Sequence, residues 1–147
     1  MGNSNSINKI NFENMQDAIN NTGNNTGNNT GNNTGNNNIL IINTLDENNQ
    51  GCLIKNSISA QNEVELLNSL LKKYSAKSVK IIVYGANSND EKLYKKYTQL
   101  IKLGFSNTYL YIGGLFEWML LQEIYGSDEF PTTTIEIDIL KYKPPKK

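Results

Sequence analysis

The chain has no histidine and no arginine, and these two absences exclude more chemistry than anything present supplies. Without histidine, no side chain has an ordinary pKa near neutrality, so the usual proton shuttle and the commonest metal ligand are missing. Without arginine, there is no rigid bidentate fork for phosphates or base edges. The 14 basic residues are therefore all lysine, and 14 acidic residues match them, so no global field draws in nucleic acid or an anionic membrane. A nucleic-acid partner is not expected. One cysteine, Cys52, excludes an internal disulfide and fits a reducing compartment. No apolar run approaches the roughly 18 residues of a membrane span, and the polar N-terminus lacks a signal-peptide core. These features point to a cytoplasmic chain whose 147 residues suit one domain.

What is present begins with a repeat. Residues 22–37 are four copies of Thr-Gly-Asn-Asn, with nothing apolar to bury. Such a stretch cannot offset the entropy of ordering, so 21–38 is expected to be a disordered insertion. Growing a loop from about four to about twenty residues costs only about 1.4 kcal/mol, which a fold can carry. The repeats create Asn-x-Thr sequons at Asn20, Asn24, Asn28 and Asn32, which have no meaning without a secretory signal. Residues 1–6 are expected to be flexible, and Met1-Gly2-Asn3-Ser4-Asn5-Ser6 satisfies the N-myristoylation pattern, making Gly2 a lipidation candidate. A single acyl chain gives only weak, reversible membrane association. The lysines of the expected flexible tail, 141–147, are either a second membrane signal or a solvated end.

Between these ends, hydrophobic periodicity alternates between two and 3.6. Ile7 and Ile10 begin a short strand, and Asn11 caps a helix that buries Phe12, Met15 and Ile19. Ile39 to Thr44 is a continuous apolar run suited to a strand covered on both faces. Ile54 to Ser59 fits another short strand. Asn62 to Tyr74 is an amphipathic helix with Val64, Leu67, Leu71 and Tyr74 on one face. Lys80 to Tyr84 is a buried strand. The helix from Asp90 to Leu103 presents Leu93, Tyr97, Leu100 and Ile101, and Gly104 suits its left-handed stop, with Phe105 as the apolar contact beyond. Thr108 to Ile112 is the last core strand, followed by Gly113-Gly114. Strands alternating with helices imply an α/β domain over 7–140, with a mainly parallel sheet of about five strands covered on both faces.

The order strand, polar loop, helix, glycine stop, strand and Gly-Gly turn over Lys80 to Trp118 resembles the C-terminal half of a rhodanese domain. Gly113-Gly114 and Trp118 match the family's closing Gly-Gly-x-x-x-Trp pattern. In that family the catalytic cysteine follows the first of these strands, on a loop whose amides stabilise thiolate and persulfide at a helix N-terminus. The corresponding loop is Gly85-Ala86-Asn87-Ser88-Asn89-Asp90. Gly85 stands where the resemblance implies the nucleophile, and Asp90 falls near the position of an arginine that binds the anionic substrate. The family's Asp-x-Arg strand ending is here Asn43-Thr44-Leu45. The resemblance thus implies a rhodanese-like fold that is not an enzyme, with no catalytic residue, cofactor or metal, serving as a binding or scaffolding module for a protein partner.

Two alternatives remain open. Cys52, near the family's Gly-His-Ile stretch, would carry sulfur in an atypical sulfurtransferase; its other reading is a small core residue. Gly2 would make the chain a myristoylated membrane-peripheral protein. A binding surface has a candidate too. In the apolar segment 115–125, Leu115, Trp118, Leu121, Ile124 and Tyr125 form a core stripe, which leaves Phe116 and Leu120 facing away. Either Phe130-Pro131 and Ile135–Leu140 fold back over that pair, or it forms an exposed patch beside the Gly85 loop.

Overall fold

In the computed structural model, which describes residues 7–23, 39–73 and 76–146, five parallel strands form one sheet in the order β1-β5-β4-β2-β3. The strands are β1 (Lys9–Ile10), β2 (Ile39–Asn43), β3 (Ser57–Ile58), β4 (Lys80–Tyr84) and β5 (Thr108–Tyr111). The helices are α1 (Phe12–Gly23), α2 (Ala60–Lys72), α3 (Glu91–Leu103) and α4 (Gly114–Tyr125). The period-two alternation of β2, β4 and β5 sorts their side chains onto two faces. Ile41, Ile82, Tyr84 and Tyr111 pack on one side with Met15, Ala18 and Ile19 of α1 and Leu115, Trp118 and Met119 of α4. Ile42, Ile81, Val83 and Leu110 pack on the other with Leu67 of α2 and Leu93 and Leu100 of α3. Parallel pairing needs crossovers: α1, α2 and α3 supply those from β1 to β2, β3 to β4 and β4 to β5, while the β2–β3 connection carries only a 3-10 turn at Glu47–Asn49.

Local chemistry sets the helix ends. Asn11 and Asn14 cap α1 reciprocally, each side-chain oxygen accepting from the other's backbone N–H at 3.0 Å. Gly104 terminates α3 at φ 108°, and the Phe105 N–H reaches back to the Leu100 carbonyl, a Schellman closure that buries Phe105.

Several boundaries and faces differ from the sequence expectation. The α1 helix runs through residues 21–23, the first three of the expected insertion; residues 24–38 and Gly2 lie outside the described residues. The β3 strand is only two residues long, because Ile54 instead bridges to Thr132. The α2 helix starts at Ala60 and buries Glu63, whose carboxylate pairs with Lys96 of α3, while Val64 is 65% exposed. Tyr74 is outside the described residues. Ile101 is also at the surface. On α4 the buried spacing is Leu115, Trp118 and Met119, so Ile124 and Tyr125 project into solvent.

The C-terminal region is the larger surprise. Apart from the bridge at Thr132, residues 131–138 have no regular structure, and a 3-10 turn follows over Ile139–Tyr142. The expected basic tail is therefore partly core: the Tyr142 ring is buried, and Lys141 pairs with Glu136. Ile135, Ile137 and Leu140 stay exposed, but Ile139 packs against the core and the turn Ile139–Tyr142 touches α4, so the fold-back is made in part. Phe130 does fold back, its ring centroid 5.0 Å from Trp118 and 5.6 Å from Phe12.

Candidate functional site: a filled loop beside an open cavity

The loop from Gly85 to Asp90 leaves the C-terminal end of β4, where α/β sheets place their ligand sites. Its anchor is Tyr84, whose fully buried hydroxyl accepts the Ile54 N–H at 3.0 Å and lies 2.7 Å from Ser57 Oγ. Burial pushes the Tyr84 phenol well above its ordinary range, and the bonds from Ser57 and Ile54 oppose that only in part.

Gly85 is buried and has no room for a side chain. A Cβ there would lie 2.6 Å from Asp90 Oδ2 and 2.8 Å from Thr44 Oγ1. Asp90 caps α3: its Oδ1 accepts the Lys92 N–H at 3.0 Å, and its Oδ2 accepts the Ala86 N–H at 3.2 Å. The Asn87 side-chain oxygen takes the Asn89 N–H at 2.8 Å, and its amide nitrogen donates to the Tyr142 carbonyl at 2.8 Å. Asp90 and Asn87 thus hold the Ala86, Asn89 and Lys92 N–H groups, three donors of this loop and helix start, within the chain itself. Ser88, by contrast, is exposed at the loop tip.

The turn after β5 clamps this loop. The first N–H groups of α4 would otherwise lack partners; here Leu115 N–H donates to the Gly85 carbonyl and Phe116 N–H to the Ala86 carbonyl, both at 2.9 Å. Gly114, at φ 71°, makes the approach possible, since a Cβ would sit 2.7 Å from the Gly85 carbonyl oxygen.

At the end of β2, Asn43 and Gln50 exchange side-chain amide bonds of 3.1 and 2.8 Å. They also bind Ile58 O, Leu45 N, Leu45 O and Ala60 N, tying β2, β3 and the start of α2 together with neutral groups. Gln50 was not anticipated from the sequence, because a lone glutamine in a loop carries no local pattern. Cys52 is 4% exposed and donates its S–H to the Thr134 carbonyl at 3.3 Å, within the segment that meets residues 131–134. Among the described residues no three His, Cys, Asp or Glu side chains gather as metal ligands. Nor is any helix among them long and apolar enough to cross a membrane.

Beside the loop lies a cavity of about 610 Å³. Its walls are Ile10, Phe12, Ile112, Phe116, Leu120 and Pro144, with Asn87 and Ser88 on the loop side. Phe116 is half-buried and Leu120 is 42% exposed, so this pair is partly covered and lines the cavity. Glu117 is the one charged residue among those lining it. Its Oε1 accepts the Tyr111 hydroxyl at 2.5 Å, and the absence of a side chain at Gly113 makes room for the carboxylate. Burial raises the Tyr111 phenol far above its ordinary range, and the bond to Glu117 raises it further. The Tyr111–Glu117 pair was not foreseen; the glycine pair preceding a first-turn glutamate was the only local hint.

An all-parallel sheet in this order, with a capped loop after its central strand, defines an α/β domain. A family model described as the rhodanese-like domain matches residues 29–121, more than half of the chain, and the protein belongs to that family. Solved structures agree at the level of fold. An EanB threonine-to-valine variant in complex with hercynine is similar over 92% of this chain, with TM-score 0.58 and 17% identity. Wild-type EanB gives 0.57 and 17% over 92% of the chain. A tyrosine-to-alanine variant with ergothioneine covalently linked to a persulfide cysteine gives 0.56 and 16% over 89%. This chain spans only 29–30% of those chains' length. No curated protein matches it.

Proposed function

We propose that this protein is a non-catalytic rhodanese-like domain that acts as a binding module for a protein partner. The observation that carries the reading is the filling of the loop: position 85 has no side chain, and the Asp90 carboxylate stands in its slot on two backbone amides. A sulfur nucleophile placed there would meet a negative charge where the chemistry needs free donors. Thiosulfate would meet the same repulsion. Cys52 is a poor substitute, because it is buried and its S–H is held by a carbonyl of the C-terminal segment.

The purified protein should show no thiosulfate:cyanide sulfurtransferase turnover above buffer. Gly85→Cys alone should stay inactive, since its thiol would compete with Asp90 for one space. Turnover by the wild type that Cys52→Ser abolishes would overturn the reading and make the chain an atypical sulfurtransferase.

A further inference from the structure

The cavity beside the loop has a composition the filled loop does not explain. Its walls are apolar and aromatic, from Phe12, Ile112, Phe116, Leu120 and Pro144, and one carboxylate, Glu117, stands among them. Among the described residues Glu117 has no salt bridge, its one side-chain partner is the Tyr111 hydroxyl on Oε1, and none of them donates to Oε2. A half-buried carboxylate with an open oxygen, set in apolar walls, is complementary to a cation carried on a methylene shaft.

We infer that this cavity receives a lysine side chain presented by a partner protein. Lysine fits better than arginine for a geometric reason. With Tyr111 on Oε1, Glu117 offers one open oxygen, whereas a guanidinium gains most from a carboxylate with both oxygens free. An ammonium can give one of its three N–H groups to that oxygen and keep the other two in water at the open side, while its four methylenes lie along Phe116 and Leu120. The volume, about 610 Å³, lies in the range that encloses a drug-sized ligand, which suits a lysine with its flanking residues better than a free small amine. This inference rests on the reading of the chain as a binding module and supplies the chemistry of its partner.

The test uses the full-length protein and the tripeptide acetyl-Leu-Lys-Leu-amide, followed by amide chemical shifts in two-dimensional NMR. Saturable shifts should centre on Ser88, Gly113, Phe116 and Leu120. Acetylating the lysine ε-amine removes the charge and should weaken binding at least about tenfold, as expected for loss of one charged hydrogen bond. The arginine analogue should bind less tightly than the lysine peptide. Glu117→Gln, which retains an acceptor for Tyr111, should weaken the lysine peptide about tenfold with an unchanged thermal midpoint. Equal affinity for the acetylated peptide overturns the proposal, as does the absence of saturable shifts at millimolar peptide. Both of these outcomes are measured on the wild-type protein, so they do not depend on the folding of the variant. Equal affinity for n-pentylamine overturns the assignment to a protein partner. Binding seen only after removal of Lys146 and Lys147, which follow the cavity-lining Pro144, overturns it in favour of the chain's own tail. The sulfurtransferase assay is independent: turnover sinks the non-catalytic reading, whereas failed peptide binding without turnover sinks only the lysine site.

Discussion

Tyr84 and Tyr111 end adjacent strands, occupy register positions opposite each other and point into the same core, yet they lead to opposite outcomes. The Tyr84 hydroxyl is held by neutral groups of the sheet frame, Ile54 and Ser57, and the loop beyond it closes on itself through Asp90. The Tyr111 hydroxyl donates to Glu117, which remains half-open on a cavity. After β4, Asp90 and Asn87 hold the Ala86, Asn89 and Lys92 N–H groups within the chain, whereas after β5 the Glu117 carboxylate stands beside a cavity. Neighbouring strand ends of one parallel sheet can therefore differ in how far their polar groups are satisfied by the chain itself.

The largest effect should come from forcing the two halves apart. Gly114→Ala imposes a left-handed backbone on a residue with a Cβ, costing about 1–2 kcal/mol, and drives that Cβ into the Gly85 carbonyl. With overpacking added, the total loss should reach about 3 kcal/mol in urea denaturation. A midpoint near wild type would mean that the turn and the loop are not rigidly coupled.

A gentler probe sets the tyrosines against each other directly. Tyr84→Phe strands the buried Ile54 N–H and should cost about 1–3 kcal/mol. Tyr111→Phe leaves Glu117 with access to water and should cost less, about 0.5–1.5 kcal/mol. Equal losses would erase the distinction between frame and site. Both phenols are raised above the ordinary value of 10.0, so the folded state holds their protons longer than the unfolded chain does. Their contribution is fully present below about pH 10 and is lost as pH rises toward the folded values, at about 1.4 kcal/mol per pH unit for each tyrosine. Each phenylalanine variant should remove one tyrosine's share of that alkaline slope.

The smallest effects concern the filled loop. Asp90→Ala removes a helix cap and should cost about 1 kcal/mol. Gly85→Ala should be destabilising in the wild type and less so in the Asp90→Ala background, with a coupling of about 0.5–1 kcal/mol. Strict additivity would show that Asp90 does not occupy the space at Gly85.

Much of the scaffold was legible along the chain, because local pattern and burial agree there. The Lys80–Tyr84 run is the strand as observed, Asn11 caps α1, and Gly104 closes α3. Errors fell where a distant partner overrides local pattern. Val64 and Glu63 exchange places because Lys96, on another helix, draws the carboxylate inward. Ile54 leaves its expected strand because residues 131–134 claim its neighbourhood. Tyr142 enters the core from a tail whose lysines gave it a solvated look.

The family fold could be read from the chain alone, since strand periodicity and glycine stops are local properties. Three features needed the packed molecule: Asp90 fills the space beside Gly85, Asn43 and Gln50 brace β2, and Glu117 opens onto a cavity between α1, the loop and α4. Each of these is a meeting of side chains brought together by parallel crossovers. No pattern along the chain encodes such a meeting, because the distance that matters is set by packing across the sheet.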